Sequence, residues 1–211
     1  FADDKDAKQT LAVDEEEATV MFNSHGELNI KFVKGDNWLK ADVTPDSANK
    51  YTIELTIIDP NPNTEFENQT NKDIEIKERD ATVKIVSKVH ADINEDHVLA
   101  ESDYTKTLEI TQKGYKFKVD RTPLNATADG KDFTIKVECS DSYSVSTGSA
   151  DWISTEISGD VVTVTVAKNE TSAVREGTIT VTDNYNNKHE IKVTQEAGEE
   201  PEDDNGGEVI E

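Results

Sequence analysis

The sequence has little cysteine, little positive charge and no long apolar run. One cysteine among 211 residues excludes an internal disulfide, so the fold depends on burial and strand pairing. The 45 Asp and Glu outnumber 22 Lys and Arg, which gives a formal net charge of −23. Nucleic acids are bound through cationic side chains that release counterions, so this charge excludes a nucleic-acid-binding protein. No run approaches the ~18 apolar residues of a membrane span, so no transmembrane segment is predicted.

Apolar side chains are also scarce, at 34% of the residues, and one large core is therefore not expected. A chain of 211 residues suits one large domain or two small ones. Both ends are acidic and almost free of apolar residues. We interpret residues 1–8 as an acidic leader and residues 199–211 as an acidic linker or tail, followed by another domain in the full-length chain.

Between the two ends, apolar and polar residues alternate with a period of two, which is typical of half-buried strands. Tyr51, Ile53 and Leu55 show this period in one segment, and Val162 and Val164 show it in another. No segment of helical length keeps the apolar spacing of a helix. The sequence therefore predicts an all-β protein of antiparallel sheets, each with one face in water.

Four landmarks recur in the same order, which indicates two copies of one unit. They are a tryptophan before an aliphatic residue, a Thr-containing apolar strand, a strand that opens with arginine, and a strand that ends in glutamine. The matching positions are Trp38 and Trp152, Arg79 and Arg175, and Gln112 and Gln195. Tryptophan and glutamine are 74 residues apart in the first copy and 43 in the second. We assign the difference to loop insertions around 59–77 and 86–104, and place the connector between copies at Lys113-Gly114.

With the ending Val-Thr-Gln-x-x-Gly of the second copy, these landmarks resemble the BACON family, the Bacteroidetes-associated carbohydrate-binding, often N-terminal domains. The second copy fits closely from Tyr115 to Gly198, and the first fits more loosely. The resemblance implies two tandem immunoglobulin-like antiparallel β-sandwiches, at 9–113 and 114–198. It also implies a secreted or lipid-anchored bacterial surface protein, with the location extracellular or at the outer membrane.

Two functions are compatible with this resemblance. The leading hypothesis is a non-catalytic stalk, spacer or adhesin-like segment that positions a neighbouring domain. The alternative is a carbohydrate-binding module that recognises a polysaccharide or mucin-type glycan through loop aromatics, with Tyr185, Phe66 and Tyr104 as candidates. The expected partner is a glycan or a surface protein, and we expect a monomer. We predict that Trp38 and Trp152 are core residues.

Asp and Asn alternate in both insertions of the first copy, a spacing that suits the oxygen ligands of Ca²⁺. The candidates are Asp59, Asn61, Asn63, Asp92, Asn94 and Asp96. Both runs lack the glycine and the final glutamate of a helix–loop–helix calcium site, so solvated acidic loops are favoured and no cofactor is required. No hydrolase, metalloprotease or phosphate-binding motif is present, and the sequence predicts that the protein is not an enzyme.

The remaining polar landmarks are predicted to be structural. The glutamines that end the matching strands, Gln112 and Gln195, are expected to satisfy backbone groups. The matching arginines are expected to pair with acidic neighbours or pack across strands. Cys139 shares the parity of inward residues and is predicted to be buried. Turns are predicted at 45–47, 158–160 and 183–187.

Overall fold

A computed structural model of the protein describes residues 8–24, 27–47, 50–59, 66–87 and 105–199, and within these ranges every regular element is a β-strand. The chain forms two compact units. Unit 1 consists of Phe1–Glu65 and Glu75–Tyr115, and unit 2 consists of Phe66–Ile74 and Lys116–Glu211. The prediction of an all-β fold is confirmed.

Unit 1 is built from two sheets. Its strands are β1 (Lys8–Leu11), β2 (Glu17–Asn23), β3 (Leu28–Lys34), β4 (Leu39–Ser47), β5 (Lys50–Ile57), β7 (Arg79–Ser87) and β8 (Thr105–Gln112), and β6 (Ile74–Ile76) lies where the chain returns from unit 2. One sheet has the order β1-β8-β7-β3 and the other β2-β5-β4. The pairs are antiparallel except β1 with β8, which is parallel.

The core of unit 1 lies between these two sheets. Alternate residues of β7 and β8 point inward, and Val83, Ile85, Leu108 and Ile110 are fully buried. They meet inward residues of β5 such as Ile53 in one cluster. Each strand therefore keeps one apolar face inside and one polar face in water, as the period of two predicts.

Unit 2 repeats this architecture. Its strands are β9 (Tyr115–Val119), β10 (Leu124–Ala126), β11 (Lys131–Cys139), β12 (Tyr143–Ser146), β13 (Ile153–Ser158), β14 (Val161–Val166), β15 (Arg175–Asp183) and β16 (Lys188–Gln195). One sheet runs β10-β16-β15-β12, and the other contains β13-β14-β11-β9. Buried residues come from both sheets, among them Val162 and Val164 of one, and Ile179 and Ile191 of the other. The predicted antiparallel β-sandwiches are confirmed.

Two local predictions are wrong, for different reasons. The chain does not bend at 45–47, because β4 runs through Pro45 to Ser47 with a register shift between those two residues. This strand is at the edge of its sheet, where a proline costs no ladder hydrogen bond. Cys139 is only half-buried, because it is the last residue of β11, and its thiol lies 3.8 Å from the Ser142 carbonyl.

The connector between the copies is short and is held by unit 1. Only Lys113 and Gly114 separate β8 from β9. The Lys113 N–H donates to the Leu11 carbonyl at 2.9 Å. A Cβ added at Gly114 would lie 2.4 Å from the Ile76 carbonyl oxygen, so the backbone passes too close for any side chain.

The first insertion of the first copy is divided between the units. Its residues Phe66–Ile74, which we call the strap, belong to unit 2. The domain boundaries at 9–113 and 114–198 stay a prediction.

Candidate functional site

In unit 2, Arg175, Gln195 and Trp152 form a compact arrangement at one end of the sandwich. Arg175 is the first residue of β15 and Gln195 the last of β16, and the two face each other across the strands. The Arg175 Nε–H donates to Gln195 Oε1 at 2.8 Å. The guanidinium carbon lies 4.4 Å from the centroid of the Trp152 ring, within range of a cation–π interaction.

Unit 1 contains the same arrangement, with Arg79, Gln112 and Trp38 in the same roles. Arg79 faces Gln112 across β7 and β8, and its Nε–H donates to Gln112 Oε1 at 2.8 Å. The guanidinium carbon lies 4.2 Å from the Trp38 ring centroid. Burial lowers the pKa of Arg79, and the nearby Asp59 partly opposes this shift. The landmarks that recur in the sequence therefore form the same arrangement of three side chains in each unit.

The glutamine side-chain amides bond to backbone carbonyls, as predicted. Gln195 Nε2 donates toward the carbonyls of Thr127, Ala128 and Ala167 at 3.0, 3.1 and 2.9 Å. Gln112 Nε2 lies 3.2 Å from the Val13 carbonyl. Both glutamines are buried, with 0% and 1% of their surface exposed. The two polar landmarks are thus committed to the interior of their units.

Of the two roles expected for the arginines, contact across strands is what the structure shows, and their acidic neighbours pair with other residues. Lysines on adjacent strands pair with two of these carboxylates instead: Lys34 lies 3.6 Å from Asp80, and Lys192 lies 2.7 Å from Glu176. The Arg175 Nη2 donates to the Ala167 carbonyl at 2.9 Å. Each arginine therefore holds backbone and glutamine rather than a carboxylate side chain.

The strap lies along the first half of β16. Lys188 N–H donates to the Gln69 carbonyl, and Asn71 N–H donates to the Lys188 carbonyl, both at 2.7 Å. Thr70 and Lys188 form a parallel bridge. Asn68 N–H donates to the Tyr185 carbonyl at 3.0 Å. The strap thus adds a short parallel segment to the edge of the sheet.

Side chains also hold the strap. Glu190 N–H donates to Asn71 Oδ1 at 2.8 Å. Arg121 donates to the Asn71 carbonyl, and its Nη2 lies 3.4 Å from Asp73 Oδ1. Asn68 and Asn71 both have φ of 55°, a left-handed conformation that asparagine tolerates better than most residues. The strap is thus fitted to unit 2 by specific polar contacts.

The β15–β16 hairpin presents a fixed polar acceptor to the strap. Asp183 Oδ1 accepts the N–H groups of Tyr185 and Asn187 at 2.9 and 2.8 Å, and Asp183 Oδ2 accepts Asn187 Nδ2 at 2.8 Å. Both Asp183 and Asn187 are buried. This network turns Asn187 Oδ1 toward the strap, where it accepts the Gln69 N–H at 2.9 Å.

Two of the three aromatic candidates come together at this hairpin. The ring centroids of Phe66 and Tyr185 are 4.7 Å apart, with the planes inclined by 61°. Both side chains are half-buried. An edge-to-face pair presents less flat surface to a sugar than coplanar rings would. Tyr104 lies outside the described residues, and the glycan site stays a prediction.

His189, a residue that the sequence analysis did not select, is fully buried beneath the strap. Its ring lies 4.9 Å from the Phe117 ring, and its Nε2 lies 3.8 Å from Asp73 Oδ1. Within the described part of the chain, neither ring nitrogen meets hydrogen-bond geometry. Burial lowers the pKa of His189, as does the charge of Arg121, while Asp73, the Phe117 backbone and Asp183 oppose the shift more weakly. Burial therefore favours the neutral form of the imidazole.

A shallow polar cleft of about 430 Å³ lies elsewhere on unit 2. Glu138 lies within it, 2.6 Å from Lys116 and 2.7 Å from Lys136. Their hydrogen bonds lower the pKa of Glu138 to about 2. Cys139 and Asp160 complete one side of the cleft. Two cationic and two anionic side chains therefore line the cleft, and Glu138 pairs with both lysines.

The calcium candidates are only partly described. Asp59 is described, and its carbonyl accepts Arg79 Nη2 at 2.6 Å. Asn61, Asn63, Asp92, Asn94 and Asp96 lie outside the described residues. Within the described ranges, no group of three His, Cys, Asp or Glu side chains is placed to hold a metal ion. Calcium binding stays a prediction.

Comparison with known proteins identifies part of unit 2. Residues 142–196 match the BACON family model, described as "Putative binding domain, N-terminal", which confirms the resemblance for this segment. No curated protein matches the chain. In the described residues, no helix has the length and apolar character needed to cross a membrane.

Several solved structures are similar over part or most of the chain. A Bacteroides ovatus GH5 xyloglucanase in complex with a XXXG heptasaccharide is 26% identical, with a TM-score of 0.36 over 40% of this chain. The match covers 20% of the xyloglucanase. A protein from Bacteroides thetaiotaomicron is 23% identical, with a TM-score of 0.33, over 41% of this chain and 89% of that one. Cadherin domains 1–4 of protocadherin gamma B7 are 12% identical, with a TM-score of 0.48, over 92% of this chain and 50% of theirs.

Proposed function

We propose that this chain is a non-catalytic surface segment of a secreted or lipid-anchored bacterial protein and acts as a spacer that positions a neighbouring domain. The observation that carries the proposal is the arginine–glutamine–tryptophan arrangement found in both units. It commits the matching arginine and glutamine of each copy to internal bonds. The predicted core position is confirmed for Trp38, which is buried, whereas Trp152 is half-buried under Arg175. Such an arrangement favours two robust sandwiches over an open catalytic or ligand-binding cleft.

The connector gives a second, independent support. A spacer transmits position only if its joints are restrained, and a glycine in a joint is usually a source of freedom. Here Gly114 is enclosed by the backbone of unit 1, and Lys113 bonds to Leu11. The joint is therefore anchored on the side of unit 1.

A spacer is tested by exchanging it for an unrelated one. In the surface protein that carries this chain, residues 8–199 would be replaced by two unrelated β-sandwich domains of similar length. We expect the replacement to restore the activity of the neighbouring domain on cell-bound or insoluble substrate, and deletion to reduce it. Activity on a soluble substrate is the control and should not change. A replacement that behaves like the deletion would show that this sequence itself is needed, which contradicts a spacer.

The second candidate function is glycan binding, and the contact between Phe66 and Tyr185 favours it. These half-exposed rings lie at a hairpin tip, where a chain of sugars has access. Affinity electrophoresis against plant polysaccharides and mucins, with calcium and with chelator, tests this candidate. Retardation that Tyr185→Ala abolishes and Tyr185→Phe retains would assign the site to the ring. Equal migration of all three proteins on every glycan would exclude it.

A further inference from the structure

We propose that the first half of β16, together with the β15–β16 hairpin, is a docking site for an extended peptide, and that the strap is its resident occupant. The partner it fits is a segment with the strap's pattern, Phe-x-Asn-x-x-Asn-x-Asp, supplied by another chain. The site would therefore support strand addition between molecules whenever the strap is released.

The backbone of β16 supplies the first part of the site. β15 pairs with β16 along its whole length, from Lys188 to Gln195. On the other side, β10 pairs only with the stretch from Val193 to Gln195. The remaining edge would expose N–H and C=O groups, which are a template for another strand. The strap takes both backbone groups of Lys188 and the N–H of Glu190.

Side chains of unit 2 supply the specificity. Asn187 Oδ1 accepts a hydrogen bond from the Gln69 N–H. Arg121 donates to the carbonyl of Asn71 and forms an ion pair with the carboxylate of Asp73. The Asn71 side chain is itself recognised by Glu190 N–H. A strand without an asparagine and an acidic residue at this spacing would pair with β16 but lose these contacts.

The site does not need the strap in order to form. The bonds among Asp183, Tyr185 and Asn187 lie within the hairpin. A buried carboxylate that accepts three N–H groups is a stable local arrangement. Removal of the strap therefore leaves Asn187 Oδ1 in place as an acceptor, and the edge of β16 ready to pair.

In the native chain the strap occupies the site in cis. A tethered segment has an effective concentration on the order of mM, so a free peptide competes poorly with it. An experiment must therefore weaken the strap without changing the hairpin. The double variant Asn71→Ala, Asp73→Ala does so from the strap side only, because it removes the Asn71 Oδ1 bond to the Glu190 N–H and the ion pair of Asp73 with Arg121. The bond from Arg121 to the main-chain carbonyl of residue 71 stays.

The probe is a fluorescein-labelled peptide with the sequence of residues 66–74, and the readout is fluorescence anisotropy with the full chain. We expect no binding to the native chain and saturable binding to the double variant. A peptide with alanine at the positions of Asn71 and Asp73 is the matched control and should bind at least tenfold more weakly. Equal binding of both peptides, or no binding of the probe to the folded double variant, would overturn the proposal.

Hydrogen exchange separates release from unfolding. In the double variant, the backbone amides of residues 69 and 71 should exchange about tenfold faster or more, while those of β11 keep their protection. If the double variant does not fold, Arg121→Met serves instead, because it removes the bond to the Asn71 carbonyl and the ion pair with Asp73 from the loop before β10 and leaves the Glu190 contact in place. Unchanged exchange of the strap in either folded variant would show that these contacts do not hold it, which also contradicts the proposal.

Discussion

Gln195→Leu tests whether the arginine–glutamine–tryptophan arrangement stabilises unit 2. Leucine has nearly the volume of glutamine, so the change removes polar bonds and leaves little cavity. The Arg175 Nε–H loses its acceptor at 2.8 Å. Three carbonyls lose one donor each, and every one of them keeps another. Thr127 and Ala128 keep the N–H groups of Gly130 and Asn169, and Ala167 keeps Arg175 Nη2. The orphaned charged donor therefore dominates the cost.

The magnitude follows from these partners. A hydrogen bond to a charged group contributes about 1.5–3 kcal/mol, and each carbonyl that keeps another donor loses about 0.5 kcal/mol. We expect Gln195→Leu to lower the free energy of unfolding of unit 2 by about 3–4.5 kcal/mol. For a domain of this size that lowers Tm by roughly 12–35 °C. In unit 1, Gln112→Leu should cost less, because Gln112 Nε2 lies 3.2 Å or more from its carbonyl partners.

Urea unfolding measures the loss, and hydrogen exchange resolved by peptide locates it. Protection of β15 and β16 should fall in Gln195→Leu, while protection of β7 and β8 is retained. Thr194→Val is the control, since Thr194 lies next to Gln195 on the outer face of the same strand, and it should change stability by less than about 0.5 kcal/mol. A loss under about 1 kcal/mol in Gln195→Leu, or a loss in unit 1, would refute the reasoning.

Three further predictions concern backbone packing and ionisation. Gly114→Ala should destabilise unit 1 by about 1–3 kcal/mol in urea unfolding, because the new Cβ meets the Ile76 carbonyl oxygen at 2.4 Å. The folded pKa of His189 lies below its ordinary 6.5, so the unfolded chain takes up the proton first. Stability should therefore fall as pH drops below about 6.5, and His189→Phe should remove this dependence. For Glu138, NMR titration should show a pKa of about 2 that Lys116→Ala raises toward 4.5.

Each of these predictions has a matched comparison. For the connector the comparison is Gly159→Ala. A Cβ added at Gly159 meets no atom within 4 Å, and only the positive φ of 58° opposes it, so this substitution should cost about 1–2 kcal/mol of stability. A smaller loss in Gly114→Ala than in Gly159→Ala would contradict the close approach. For His189, a pH dependence that persists in the phenylalanine variant would assign it to another group. For Glu138 the control is Lys168→Ala, since Lys168 lies outside the cleft and its loss should leave the pKa of Glu138 unchanged.

The sequence predicted the core of this protein well because period-two alternation records which way each side chain points. Ile135 and Val137 are buried as their parity requires. His189 shares the parity of Ile191 and Val193, so the alternation itself predicts that His189 is buried, although histidine is a polar residue. Parity gives the direction but not the depth, which is why Cys139, at the end of its strand, is only half-buried.

The strap could not be predicted in the same way. Its sequence is polar and has no period, so it resembles a solvated loop. Its order depends on partners more than 45 residues away, such as Arg121, and more than 110 away, such as Asn187. Each contact matches one donor to one acceptor, and no local pattern encodes such a match. The same is true of the acceptor for each arginine, where acidic neighbours in sequence were a poor guide.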